Sequence, residues 1–351
     1  MNALELQLNY PMGQTLPAKG GSLALAPGVR WLRMTLPFAL DHINLWLLRD
    51  EIDGRQGWTV VDCCVDRAEA RAQWETIFAN ELEGLPVLRV MVTHMHPDHI
   101  GLAAWLCERW NCPLWISATD YFSARLHTDS GPGFGSDLAV AFFASHGLAG
   151  AEGAQAVRSR SNHYSKLVPT VPAAFRRLQH GQRVRIGEHD WDCIAGFGHA
   201  PEHIAFYCQT LGLLIAGDMM LPRISTNISV QATEPDADPL AAFLASIDGF
   251  RALPVDTLTL PAHGKPFTGL HLRIDQLQTH HQDRLAEVMQ ACAQGPKSGA
   301  QIVPVMFPRA LDTHQALFAL GEAIAHLHLL WHQGRLRRTL GADGVWRFAP
   351  A

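Results

Sequence analysis

The sequence predicts a mixed α/β protein, on three observations. Short apolar, β-branched runs at residues 87–93 and 213–216 read as buried strands. Stretches 68–82 and 270–293 repeat apolar residues at helical spacing. The two kinds of segment alternate along the chain, with strands flanked by helices in two similar halves. The chain has 351 residues with 48% apolar content, enough for a large core and for one large domain plus a small one.

Residues 1–30 carry prolines and glycines and are expected to wrap the surface. Strands are expected near 43–48 and 58–61, then a helix over 68–82 with Trp74, Ile77 and Phe78 on one side. The strand at 87–93 leads into a helix over 100–110, and 113–116 gives another short strand. A loop, Gly131-Pro-Gly-Phe-Gly135, precedes an apolar helix over 137–146. Strands near 191–195, 204–208 and 213–216 form a second group. The next helix covers 239–253, with Pro239 suited to its first turn. Further helices are read over 270–293 and 313–330, the latter carrying Leu317, Leu320, Ile324, Leu327 and Leu330. Residues 334–348 read as two strands around an Asp343-Gly344 turn.

Residues 93–101, Thr-His-Met-His-Pro-Asp-His-Ile-Gly, concentrate the chemistry. His94, His96, Asp98 and His99 fall within six residues at the end of a strand. Alternate residues at a strand end point the same way, so His94 and His96 can reach one ion. Pro97 turns the chain and puts Asp98 and His99 within reach of a second. Neutral imidazole suits zinc, and a mixed imidazole and carboxylate set also admits manganese or iron. A structural zinc site would lean on cysteine pairs, and no Cys-x-x-Cys occurs.

With that motif, the chain resembles the metallo-β-lactamase fold family of metallohydrolases. Further pieces carry the resemblance, which spans roughly 44–264: Gly-Phe-Gly-His-Ala-Pro-Glu-His at 196–203, Leu-Leu-Ile-Ala-Gly-Asp at 213–218, Leu-Thr-Leu-Pro-Ala-His-Gly at 258–264, and Val-Val-Asp at 60–62. It implies that His199 completes the first site, Asp218 bridges both ions and His263 serves the second. Asp62 would orient the histidine loop from behind, and His203 would hold its turn. It implies a four-layer α/β/β/α sandwich over residues 1–269, with an insert at about 121–185. It also implies a small winged-helix-like domain over 270–351, as appended in some relatives. The implied activity is dinuclear metal-dependent hydrolysis: a metal-bridging hydroxide attacks the carbonyl of a thioester, carboxylic ester or lactone, and Asp98 both ligates and orients the nucleophile. Aspartate at the bridging position is less similar to the antibiotic-degrading branch, which has a cysteine in its second site. Two alternatives stay open, an endoribonuclease or phosphodiesterase of the same fold and a mononuclear iron dioxygenase acting on sulfur compounds.

Other residues are candidates for substrate contact. His42 starts a strand near the family's active-site edge, where a substrate contact and a structural role are both open. Tyr121, Phe142, Phe143 and Tyr164 either line an apolar channel or pack the insert against the core or a second subunit. Seven basic residues and no acidic one lie between Arg158 and Arg185 (Arg158, Arg160, Lys166, Arg176, Arg177, Arg183, Arg185). Such a face, Arg176 and Arg177 above all, would hold a phosphorylated carrier such as coenzyme A, or an RNA backbone, or would be plain solvated surface. The net charge of −5 does not advertise nucleic acid. Over 270–351, eight Lys/Arg against six Asp/Glu favour packing or homodimerisation over DNA binding. Seven irregularly spaced cysteines, Cys63 and Cys64 adjacent, point to reduced thiols in a cytoplasm. No basic start followed by an apolar run suggests a signal peptide, and no stretch of about 18 apolar residues suggests a membrane span.

Overall fold

The computed structural model describes residues 4–128 and 134–351, the side chain of residue 314 excepted. Gly131, Pro132 and Gly133 of the expected loop lie outside the described residues. Seven strands form the first sheet in chain order: β1 (Ser22–Ala26), β2 (Val29–Thr35), β3 (His42–Ile52), β4 (Arg55–Val61), β5 (Val87–Met91), β6 (Leu114–Ser117) and β7 (Phe175–Leu178). Pairing is antiparallel from β1 to β4 and parallel from β4 to β7. The parallel part needs crossovers, which α1 (Ala68–Asn80), α2 (Pro97–Ile100) and α3 (Ala103–Trp110) supply. Between β6 and β7 lies the insert: α4 (Ala118–Thr128), α5 (Asp137–Ser145), α6 (Gly150–Arg158) and α7 (His163–Leu167).

The second sheet holds β8 (Arg183–Ile186), β9 (His189–Gly196), β10 (His203–Cys208), β11 (Leu213–Gly217) and β12 (Leu258–Pro261), in the order β12-β11-β10-β9-β8. Only β11 and β12 run parallel, linked through α8 (Pro239–Gly249). The chain finishes with α9 (Leu270–Ala293), α10 (Gly299–Met306), α11 (Thr313–His332) and the hairpin β13 (Leu336–Leu340) and β14 (Trp346–Pro350). Gly344 sits in that hairpin's turn with φ of 74°.

Both sheets are buried on both faces, as side-chain alternation requires. Leu213 and Ile215 of β11 join a core shared with Trp31, Trp46 and Val61 of the first sheet. Their neighbours Leu214 and Ala216 join Phe243, Ile274 and Leu327 from α8, α9 and α11. Leu45, Leu47 and Val60 point the other way, onto Trp74 of α1 and Leu106 of α3. Two mixed sheets therefore face each other, with helices outside them. The C-terminal helices share one continuous core with the second sheet.

Several expectations are corrected. Residues 1–30 do not merely wrap the surface, because β1 and the start of β2 extend the first sheet. β1 is an edge strand with partly exposed residues throughout, so its alternation is weak. The helix expected over 100–110 breaks after Ile100. At Gly101 a side chain would meet the carbonyl oxygens of Pro97 and Cys64 at 2.5 and 2.6 Å. The helix expected over 239–253 stops at Gly249 and continues as a 3-10 turn, Phe250–Ala252. The basic run at 158–185 hides two strands, β7 and β8, each at a sheet edge. Their apolar ends and alternates turn inward and their arginines face solvent, a pattern that also blocks edge-to-edge pairing. No helix among the described residues is long and apolar enough to cross a membrane.

Candidate metal centre

Every ligand expected from the sequence sits just past the end of a strand or on the loop it feeds. His94 and His96 follow β5, and Asp98 and His99 lie on α2, where Pro97 opens the turn. His199 lies between β9 and β10, Asp218 directly after β11, and His263 after β12. Gly217, at φ 51°, permits the final turn. A side chain there would come within 2.2 Å of His203 Nε2, so only glycine fits beside that ring.

The seven side chains converge as two clusters, His94, His96, His199 and Asp218, and Asp98, His99 and His263. In the first, His94 Nε2, His96 Nδ1 and His199 Nε2 lie 2.9, 3.0 and 3.2 Å apart. A tetrahedral ion with ligands at 2.0–2.1 Å has edges of about 3.3 Å, so this triangle is close to one face of such a cage. Asp218 reaches both clusters. Its Oδ2 is 3.2 Å from His199 Nε2, and its Oδ1 is 3.5 Å from His99 Nε2 and 3.3 Å from His263 Nε2. Asp98 Oδ2 lies 3.3 Å from His263 Nε2.

The outer hydrogen bonds decide which nitrogen of each ring faces inward. His199 Nδ1 donates to the Asn227 carbonyl at 2.8 Å, and His263 Nδ1 to the His42 carbonyl at 2.7 Å. His99 Nδ1 donates to Asp62 Oδ2 at 2.8 Å. Thr93 gives its hydroxyl proton to Asp62 and faces His94 Nδ1 at 3.0 Å, where it accepts. Each acceptor fixes a proton on the outer nitrogen and turns the inner Nε2 towards the centre. His99 Nε2 and Asp218 Oδ1 are buried without a well-directed hydrogen bond among the described residues. Buried polar atoms of this kind are costly unless a partner satisfies them, and a cation does. The donor set of five imidazoles and two carboxylates thus fits two divalent cations.

Electrostatics separates the clusters. Burial, reinforced by neighbouring imidazoles, holds His94 well below the usual histidine range and pushes His96 down to about 3. Burial acts the same way on His99 and His263, but carboxylates outweigh it. Asp62, Asp98 and Asp218 hold His99 well above its ordinary value, and Asp218 with Asp98 raises His263 to about 10. Reciprocally, His99 and His263 keep Asp98 and Asp218 below the usual carboxylate range despite burial.

The remaining candidates divide. Asp62 accepts from the Thr93 backbone N–H at 2.8 Å as well as from His99, and so anchors the histidine loop. His203 is fully buried, lies with its ring tilted 33° against His94 at 4.9 Å and makes no hydrogen bond through either ring nitrogen among the described residues. It packs the turn. His42 does not line the cavity at the centre. Its Nε2 accepts from Gly264 N–H at 2.8 Å while its carbonyl orients His263, so its role is positional.

A cavity of about 470 Å³ opens on His96, Asp98, His199, Asp218 and His263. Its walls come from the β2–β3 loop (Leu36, Phe38, Leu40), the insert (Phe134, Phe143, Val157, Tyr164, Leu167) and α11 (Leu317, Phe318). Phe143 and Tyr164 therefore stand where the expected channel put them, and Tyr164 is fixed by donating to the Met95 carbonyl at 2.6 Å. Tyr121 and Phe142 do not line it. Tyr121 stacks on Phe175 at 3.9 Å, and Phe142 is buried in the core beside His146. Arg176 and Arg177 lie on β7 away from the cavity wall, Arg176 over the Trp115 ring.

Sequence reasoning missed three contributors. Asn227 orients His199, and Thr93 wedges between Asp62 and two ligand rings. Asp120 accepts from Met95 N–H at 2.7 Å and Glu202 N–H at 2.6 Å, tying the two histidine-bearing loops together. Burial raises Asp120 to about 6. Thr93 stood at the head of the motif, so its hydroxyl was visible. Asn227 acts through its backbone and left no signal.

Comparison with known proteins agrees with this geometry. Residues 40–263 match the family model described as metallo-beta-lactamase superfamily, and residues 285–351 match one described as metallo-beta-lactamase-like, C-terminal domain. A crystal structure of a beta-lactamase domain protein from Burkholderia ambifaria is 54% identical, covers all of both chains and superposes with a TM-score of 0.94. A metallo-beta-lactamase family protein from Thermus thermophilus is 27% identical over 93% of this chain and all of its own, with a TM-score of 0.76. The "Probable metallo-hydrolase YqjP" of Bacillus subtilis (strain 168) is 22% identical over 313 residues, 85% of this chain and 91% of its own.

Proposed function

We propose that this chain, which belongs to the metallo-β-lactamase superfamily, hydrolyses the thioester, carboxylic ester or lactone bond of an acyl compound seated in its apolar cavity. It is a metal-dependent hydrolase. The acyl assignment rests on one observation, the apolar cavity of about 470 Å³ that ends on the metal-ligand cluster. That volume suits a small organic molecule. The four-layer order and the winged-helix likeness of the C-terminal region belong to the same reading.

Two divalent ions, zinc ahead of manganese or iron, would be held by His94, His96 and His199 and by Asp98, His99 and His263, with Asp218 shared, and would supply an ionised water and positive charge at neutral pH. The chain's own residues do the rest. Asp98 faces the cavity beside His263 and is placed to orient the attacking water. Leu36, Phe143 and Tyr164 hold the acyl portion and exclude bulk water, which strengthens every charge interaction at the reacting carbonyl. Arg160 apart, the arginines of the basic run lend no weight to a phosphate backbone as substrate. Arg158, Arg183 and Arg185 pair with Asp137, Asp192 and Asp190, and Arg176 and Arg177 lie off the cavity.

The test is a hydrolysis panel on metal-quantified protein: acyl-CoA thioesters, carboxylic esters, lactones, phosphodiesters and RNA. Turnover of a thioester, ester or lactone, absent in Asp218→Ala, is expected. RNA or phosphodiester cleavage alone, or one iron per chain with oxygen uptake, would replace the reading.

A further inference from the structure

Arg160 is the one arginine or lysine among the described residues of the cavity wall. It follows α6 at the C-terminal edge of that helix, on the insert. Its guanidinium lies between two aromatic rings, 5.2 Å from the Phe134 centroid and 4.7 Å from that of Phe318. Both are cation–π contacts, made by the guanidinium carbon over the rings. Its in-plane donors are a separate matter. Nε is buried without a partner, and no side-chain nitrogen of Arg160 hydrogen-bonds or ion-pairs with a described residue. Asp312 and Gln315 also line the cavity, but the Asp312 carboxylate accepts from the Gln315 backbone N–H at 2.8 Å and Gln315 Oε1 accepts from the Arg309 guanidinium at 3.0 Å. Burial lowers Arg160 to about 10, and no carboxylate among the described residues opposes it. It still carries its charge at neutral pH.

A buried guanidinium is costly to desolvate unless an anion or hydrogen-bond acceptors meet its donors. Two ring contacts use none of the N–H donors, and the rigid guanidinium fork matches a carboxylate or phosphate bidentately. We propose that Arg160, clamped between Phe134 and Phe318 in a cavity shared with the metal centre, binds an oxyanion on the substrate remote from the scissile bond. The inference rests on the acyl-hydrolase reading and narrows it to acyl compounds with a carboxylate or phosphate on the part distal to the reacting carbonyl. Arg160 is then a specificity-determining residue that fixes which end of the molecule reaches Asp98 and Asp218.

Octanoate and adipate monoamide, which carry a carboxylate, and octanol, which does not, can be titrated calorimetrically into the metal-loaded protein. Arg160→Gln, Arg160→Lys and Asp218→Ala are titrated alongside. Expected is carboxylate binding that weakens at least about tenfold in Arg160→Gln, is partly kept in Arg160→Lys and survives in Asp218→Ala, with octanol indifferent to all three. Alkyl phosphate in the same titration tells phosphate from carboxylate. Unchanged carboxylate affinity in Arg160→Gln, or loss only in Asp218→Ala (an anion seated on the metals), would overturn the proposal. Should Arg160→Gln fail to fold, Arg160→Lys decides: equal weakening towards octanoate and octanol would overturn it too. Failure of the hydrolysis panel with this binding pattern intact would sink the reaction assignment and leave the anion site standing.

Discussion

The two halves of the metal centre share Asp218 and differ in what surrounds their imidazoles. His94, His96 and His199 face one another, and burial depresses His94 and His96 so far that both are neutral at any physiological pH. His99 and His263 instead face Asp62, Asp98 and Asp218, which raise them until each holds a proton in the metal-free protein. His94 and His96 present lone pairs in advance. The second balances its carboxylates with protons where a cation would sit, so an ion entering it must displace them.

The strongest way to break this comparison is to remove what the halves share. Asp218→Ala should strip both halves and lower hydrolysis by at least about 10³-fold, beyond the 10–100-fold that an outer partner costs. Metal quantification and initial rates check it, and retention of one tight ion would show that the halves are independent. Asp62→Asn acts on one half more than the other. It should weaken the ion held by Asp98, His99 and His263 by about 10–100-fold, and the first by less, since Asp62 reaches His94 only through Thr93. Competition with a chelator measures both.

A pH series sharpens the contrast further. His263, raised from 6.5 to about 10, gives the metal-free protein stability that is fully present below pH 6.5 and is lost as pH rises through about 10. The metal-free melting temperature should therefore fall over that window, and the metal-loaded protein's should not share this loss. Affinity of the second half should rise with pH over the same range, with proton release seen calorimetrically, while the first half stays flat. The smallest effect lies behind the first half. Glu322 hydrogen-bonds Asn227, whose carbonyl orients His199, and burial raises it to about 7. Its stabilising contribution is present below pH 4.5 and lost as pH rises through about 7, so Glu322→Gln should be more stable than wild type by at most about 3 kcal/mol at pH 8 and equal to it at pH 4.

His94, His96, Asp98 and His99 were legible because their signal is local, four metal-binding side chains within six residues after a buried strand. His199, Asp218 and His263 were legible only through the family resemblance, since a single polar residue after an apolar run, as at Leu213–Gly217 before Asp218, is a weak signal alone. What was not legible depends on direction or on backbone. Phe142 and Phe143 are adjacent on one helix and point about 100° apart, so only one reaches the cavity, and no composition tells which. β1, β7 and β8 escaped because edge strands expose alternate residues, and a run such as Arg183-Val-Arg-Ile reads as charged surface before it reads as a strand. Asn227 contributes a carbonyl, which every residue has. Arg160 was counted within a basic run, and only its place between two rings separates it from its neighbours.

The shared carboxylate is tested most directly by anomalous diffraction from crystals of the zinc-loaded protein. Two peaks are predicted, one among His94, His96 and His199 and one among Asp98, His99 and His263, with Asp218 contacting both. A single peak, or two with Asp218 turned away, would contradict the account.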